Sequence, residues 1–228
     1  MKKNNNIRPW DRKKTSTPYR TSFFAQNKSI LIVCEGQTEA EYFASFDVVQ
    51  LRVICEDSKG RTKRQLVEYC ERKIEEYKKK GQTFDEYWCV FDMDVKRGQD
   101  QFADYDAAID SAYAKGYKVA YSNDAFEVWF YLHYQYTDQQ NHRTFYYEQL
   151  SKFWGINYEK KGKAKEFCKA VYDKLNSDKN ADQQRAIQHA DKLCKRSQHL
   201  PYSQRNPVTT VHLLVLALNE YLRGTKHS

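Results

Sequence analysis

Two stretches decide how this chain reads: Ile30-Leu31-Ile32-Val33-Cys34 followed by Glu35-Gly36-Gln37-Thr38-Glu39, and Trp88-Cys89-Val90-Phe91 followed by Asp92-Met93-Asp94. An unbroken apolar run of four to six residues is the pattern of a strand covered on both faces, as in a parallel sheet. Carboxylates just past such strands fall at the carboxyl edge of the sheet, where open α/β folds bind their ligands. Several carboxylates gathered there repel one another unless cations hold them together. In Asp92-Met93-Asp94 the two-residue strand period turns both carboxylates to one side. Such a set suits Mg²⁺ or Mn²⁺, which prefer oxygen ligands, and two such ions can serve both oxygens of a phosphodiester displacement. The plainer alternative is a solvated acidic loop, with Glu39 at a helix start.

Outward from these stretches, strand and helix alternate. Strands are expected at 30–34, 51–55, 86–91 and 117–121, with helices at about 38–46, 61–79, 106–114 and 125–134. Thr38-x-x-Glu41 matches a capping box, and Ser122-Asn123-Asp124 is turn and N-cap chemistry. After 134 no further strand is indicated. Helices are expected near 144–154, 163–176, 180–197 and 207–223, the last with Asn206 as cap and Pro207 at its first position. The expected organisation is a basic arm over 1–29, an α/β core over 30–138, and a helical part over 139–228 packed on that core.

The 228 residues allow a sizeable core, and 15% aromatic content speaks against disorder. Cys34, Cys55, Cys70, Cys89, Cys168 and Cys194 form no C-x-x-C pair and read as reduced, mostly buried thiols. No apolar stretch reaches the roughly 18 residues of a membrane helix, and Met1 to Asn6 lacks the apolar region of a secretory signal. A soluble, cytoplasmic protein is expected, with no membrane partner. Eight basic side chains stand against Asp11 in residues 1–29, so nearly all of the net charge of +8 sits in the arm. It reads as a tether to phosphate backbones or as a solvated terminus.

The combination Val33-Cys34-Glu35-Gly36-Gln37-Thr38-Glu39-Ala40-Glu41-Tyr42-Phe43, Val90-Phe91-Asp92-Met93-Asp94, Ser122-Asn123-Asp124-Ala125-Phe126-Glu127-Val128-Trp129-Phe130-Tyr131-Leu132-His133 and Asn206-Pro207-Val208-Thr209-Thr210-Val211-His212 resembles the RloB-like family. That family is a branch of the Toprim fold of topoisomerases, primases and OLD-type nucleases, and the resemblance covers about residues 28–222. One departure is visible: the family's Ser-Asn-Pro turn is Ser122-Asn123-Asp124 here. The resemblance implies a Toprim-like core of about four mostly parallel strands flanked by helices, with a helical C-terminal part. It implies a Mg²⁺- or Mn²⁺-dependent nuclease, RNA such as tRNA before DNA, serving as the effector of an antiphage or abortive-infection system. The expected partners are nucleic acid and an ABC- or AAA-type ATPase encoded alongside, with room for a homodimer.

On this reading Glu35, Asp92 and Asp94 are catalytic and bind metal, with Glu39 and Glu127 as further ligands. Glu127 also reads as a charge placed to suit a helix start. His133 is a candidate general acid or a hydrogen-bonded core residue. Lys96 and Arg97, directly after the Asp pair, and Lys160, Lys161 and Lys163 are candidate contacts to nucleic-acid phosphate, or solvated charges. Two other readings stay open. One is a catalytically silent Toprim-like module that binds a partner ATPase or nucleic acid. The other is a D-x-D-x-V phosphatase over Asp92-Met93-Asp94-Val95, which leaves Glu35 unexplained.

Overall fold

The first apolar run forms β1 (Lys28–Cys34), whose last six residues are all buried. In the computed structural model, which describes residues 27–59, 61–93 and 102–223, β1 lies inside a five-stranded sheet. Its neighbours are β2 (Leu51–Asp57) and β3 (Glu86–Asp92), followed outward by β4 (Lys118–Asn123) and β5 (Val208–Thr209), in the order β2-β1-β3-β4-β5. The first four strands are parallel and β5 runs antiparallel to β4. The chain is thus an α/β protein with a mostly parallel sheet, flanked by helices and followed by a helical C-terminal part.

Alternate residues of the central strands feed two separate cores, as the double-faced burial requires. Ile30, Ile32, Cys34, Val90 and Ala120 face one core, which takes in Tyr42 and Phe43 of α1 (Gln37–Ala44). Leu31, Val33, Cys89, Phe91 and Val119 face the other, with Leu66, Val67 and Cys70 of α2 (Lys63–Lys79) and Tyr105, Ala108 and Ile109 of α3 (Phe102–Ala114). The helix that follows β1 and the one that follows β2 therefore cover opposite faces.

All six residues of α4 (Glu127–Leu132) are buried. This helix is the post on which the C-terminal helices pack, meeting α5 (Arg143–Trp154) and α8 (Gln183–Ser197). Between those two lie α6 (Tyr158–Lys161) and α7 (Lys165–Ser177), and α7 packs on α1. The Trp129 indole N–H donates to the Tyr42 hydroxyl at 2.8 Å, tying α4 to α1 inside the core. All six cysteines are free, four of them buried.

Three local expectations are corrected. Helix α1 begins one residue early, with Gly36 as its N-cap, and Thr38 does not cap it. The Thr38 hydroxyl instead lies buried 3.5 Å from the Cys168 thiol of α7, because packing claims that face. Asp124 accepts from the Arg143 backbone N–H at the start of α5 at 2.7 Å, and α4 spans only Glu127–Leu132, shorter than the 125–134 helix expected. Finally, Val208 and Thr209 form a strand where a helix start is expected, and α9 spans only Val211–Asn219. The Thr209 hydroxyl pairs with that of Ser122 at 2.8 Å, and the Thr210 hydroxyl accepts the Tyr121 N–H at 2.8 Å. These bonds satisfy the outer edge of β4, which an early helix would leave open. The Asn123–Asp124 and Asn206–Pro207 peptide bonds are cis.

Because the fully buried Trp129 ties α4 to α1, Trp129→Ala should cost about 3 to 5 kcal/mol in urea unfolding. Leu216→Ala, on the exposed side of α9, should change stability by less than about 0.5 kcal/mol. Equal small effects would remove α4 from the centre of the fold.

Candidate functional site

The register of β1 on β3 sets Cys34 opposite Val90 and brings the two acidic loops side by side. The Glu35 N–H continues the ladder, donating to the Val90 carbonyl at 3.2 Å, while Glu35 Oε2 lies 3.4 Å from the Asp92 N–H. The sheet order reverses between these two strands, since the chain leaves β1 toward β2 and returns past it to β3. In open α/β folds that crevice is the ligand site.

The neighbouring elements add three more carboxylates to this edge. Glu39 sits buried in the first turn of α1. Its carboxylate folds back so closely over Gly36 that a Cβ there would lie 3.1 Å from Oε2. Glu127 opens α4 and is fully buried. Its Oε1 accepts from the Tyr158 hydroxyl at 2.9 Å and the Lys163 ammonium at 2.6 Å, while its Oε2 is buried with no hydrogen-bond partner among the described residues. Asp124 is buried after β4.

Two cations enter from helix starts. Lys63, the first residue of α2, puts its ammonium 2.5 Å from both Glu35 oxygens and 3.6 Å from Asp92 Oδ1. Arg143, the first residue of α5, places Nη2 3.8 Å from Asp92 Oδ2. The Lys63, Glu35 and Asp92 side chains are only 10 to 15% exposed, so their pairing is largely removed from solvent screening. The loop that delivers Lys63 is itself anchored: the Ser58 N–H donates to the Cys34 carbonyl at 2.9 Å and its hydroxyl to the Glu35 carbonyl at 3.2 Å.

Burial, with the nearby Asp92 charge next in weight, pushes the Glu35 carboxyl up to about 8 against the pull of Lys63. Burial and Asp92 likewise push Glu39 up to about 7, opposed by Lys163. Burial works against the Lys163 charge, yet Glu127 and Glu39 outweigh it and hold its pKa above the ordinary value.

The donor set suits a hard divalent cation: it consists of carboxylate oxygens, and those of Glu35 and Asp92 already converge on one point charge, the Lys63 ammonium. The orphaned Glu127 Oε2 is a further oxygen with bonding capacity to spare. Among the described residues no three His, Cys, Asp or Glu side chains stand close enough to hold a metal by themselves. Asp94, the third ligand expected from sequence, lies outside the described residues, as do Lys96 and Arg97.

A family model described as "RloB-like protein" matches residues 30–218, from β1 to the last turn of α9. The chain belongs to the RloB-like family. No curated protein and no solved structure matches it. The family's match spans the whole sheet, so Glu35, Asp92 and Glu127 all stand within the shared region. No helix among the described residues is long and apolar enough to cross a membrane.

Not every residue expected at the site reaches it. His133 is buried at the end of α4, its Nδ1 2.9 Å from the Trp129 carbonyl and its ring edge-on to the Trp129 indole. Burial pushes its pKa down to about 4, and the charged groups that bear on it are Asp182 and Arg185 rather than the acidic cluster. This neutral core imidazole is not placed to deliver a proton there. Lys160 and Lys161 are exposed at the end of α6. Lys163 pairs with the buried Glu127 at 2.6 Å while its own side chain stays half-exposed.

Lys63 and Arg143 are the residues that sequence reading missed. Each stands at the first position of a helix with no acid in its first turn, where the helix dipole disfavours positive charge. A cation against the dipole, on an otherwise well-formed helix, is the signal that points to carboxylates in front of it.

Between their ordinary 4.5 and their raised values, Glu35 and Glu39 hold protons in the folded chain that the unfolded chain has released. The contribution of these two carboxyls is then greatest below that window and falls as pH rises through it, partly offset up to about pH 6.5 by the buried His133, whose lowered pKa acts the other way. With divalent cations chelated, the melting temperature should drop from pH 5 to pH 8, and Glu35→Gln and Glu39→Gln should flatten the slope. A wild-type melting temperature that climbs over this range would refute the assignment.

Proposed function

We propose that this RloB-like protein is a Mg²⁺- or Mn²⁺-dependent nuclease that hydrolyses phosphodiester bonds. The observation that carries the proposal is the convergence of Glu35 and Asp92 oxygens on a single cation at the reversal point of a parallel sheet. Glu35, Asp92 and Asp94 are the proposed ligands of the reacting centre, and Glu39 and Glu127 are proposed to hold a second ion. A bound divalent ion supplies Lewis-acid charge to phosphoryl oxygens, which is what phosphodiester cleavage needs most.

The chain's own groups divide the remaining work. Glu35 and Asp92 would hold the ion through their carboxylate oxygens, which stand side by side at the ends of β1 and β3. Arg143 presents a planar guanidinium beside Asp92, where it can hold phosphate oxygens two at a time. The starts of α2 and α5 add positive dipole ends that favour an anion.

RNA as substrate, a role as antiphage effector, and an ATPase partner rest on the sequence resemblance to Toprim-type nucleases. A second reading has a specific observation in its favour. Lys63, Arg143 and Lys163 already pair with Glu35, Asp92 and Glu127, as they would in a silent module that binds a partner or nucleic acid.

Incubation with tRNA, mRNA, plasmid and single-stranded DNA in Mn²⁺ separates the two. Cleavage that chelation stops, and that Glu35→Gln or Asp92→Asn lowers by about 10² to 10⁴-fold, is the expected result. Equal cleavage by wild type and both variants would contradict the assignment. Binding of nucleic acid without cleavage, even with the partner ATPase present, would favour the silent module.

A further inference from the structure

We infer that Lys63 is a resident competitor for the metal site: its ammonium claims the same Glu35 and Asp92 oxygens that a divalent ion takes, and on ion entry it is released to contact substrate phosphate. This rests on the metal reading of the preceding subsection and adds to it a built-in threshold for metal loading.

The geometry is that of a point cation shared between ligands. The ammonium is equidistant, at 2.5 Å, from the two Glu35 oxygens, and it reaches Asp92 at 3.6 Å. Divalent ions of this class bind oxygen at about 2.0 to 2.2 Å, so ammonium and ion cannot both occupy the space between these carboxylates. One must give way.

A purely structural salt bridge explains the arrangement poorly. The helix start does not need Lys63, because the Gln65 side chain accepts the Thr62 N–H at 3.3 Å and closes the first turn without it. The lysine instead works against the dipole of a 17-residue helix. Its side chain is 10% exposed, so the ammonium is held in a largely desolvated place where only its carboxylate partners make it tolerable.

Lysine also suits exchange better than arginine. It is a compact charge on a flexible four-carbon stem, tethered at the mouth of the cluster by the Ser58 anchor of its loop. Once displaced it stays within a side chain's reach of the site, beside the N–H groups that begin α2. A phosphate oxygen held there would replace the lost carboxylates. Arg143 plays a different part: it touches Asp92 alone of the pair, at 3.8 Å, and its departure is not required for an ion to enter.

The test is calorimetric titration of Mn²⁺ into the full chain for wild type, Lys63→Met and Lys63→Arg. Methionine keeps most of the stem and removes the charge, whereas arginine keeps the charge. Competition predicts that Lys63→Met binds Mn²⁺ about tenfold or more tightly than wild type, within the usual range for coupled sites. It should nevertheless cleave more slowly at saturating Mn²⁺, and Lys63→Arg should stay near the wild-type affinity. A structural lysine predicts the opposite sign, weaker or unchanged binding, and that result overturns the inference.

Misfolding is controlled by the Mn²⁺-induced rise in melting temperature read within each variant. That rise should be larger in Lys63→Met than in wild type, even if its starting temperature is lower. If no variant binds Mn²⁺ at millimolar concentration, the metal reading itself fails and takes this inference with it. That outcome is distinct from equal binding by all three, which sinks the role of Lys63 alone.

Discussion

Parallel pairing of β1 with β3 is the constraint on which the rest of the molecule turns. It sets Glu35 and Asp92 side by side at one sheet edge, and like charges at such spacing in a desolvated crevice repel strongly. The starts of α1, α2 and α5 all come to this edge, and the last two deliver Lys63 and Arg143 as counter-charges. Burial still leaves Glu35 and Glu39 holding their protons well above the ordinary carboxyl range. A fold that spends stability on such an arrangement has a cluster poised to bind something positive.

The two cores divide the labour around that edge. One face of the sheet, covered by α2 and α3, fixes the loop that carries Lys63. The other, covered by α1 and α4, carries Glu39 and Glu127 into the interior beside the cluster. The fully buried α4 is what lets a helical C-terminal part serve the site: α5 contributes Arg143, and the turn after α6 contributes Lys163. Tyr158, Lys163 and Glu127 form a small polar network in an otherwise aromatic core. Glu127 Oε2 within it has no hydrogen-bond partner among the described residues, and unmet bonding capacity is costly where water is absent.

The strand-and-helix alternation from 30 to 134 was legible because double-faced strands leave unbroken apolar runs, which few other structures produce. Glu35 and Asp92 were legible for the same reason: each directly follows such a run or closes it. The strand at Val208 was not, since two residues carry no period and the preceding proline imitates a helix start. Thr38 was misread because a capping motif says nothing of the tertiary packing that claimed it. His133 showed the limit of residue type as evidence. The Trp129 carbonyl and indole, one helical turn earlier, make it a core residue. Lys63 and Arg143 look like ordinary solvated charges until the helix starts are located. Their meaning lies in carboxylates that are 28 residues away for Lys63 and 51 for Arg143.

The central claim is that Glu35 and Asp92 bind a divalent cation in the place the Lys63 ammonium contests. A crystal structure with Mn²⁺, read by its anomalous scattering, tests it most directly. The account predicts a peak about 2.0 to 2.2 Å from oxygens of both Glu35 and Asp92, with the Lys63 ammonium moved off them. A structure in millimolar Mn²⁺ with no peak between these strands, and Lys63 still bridging the two carboxylates, would contradict it.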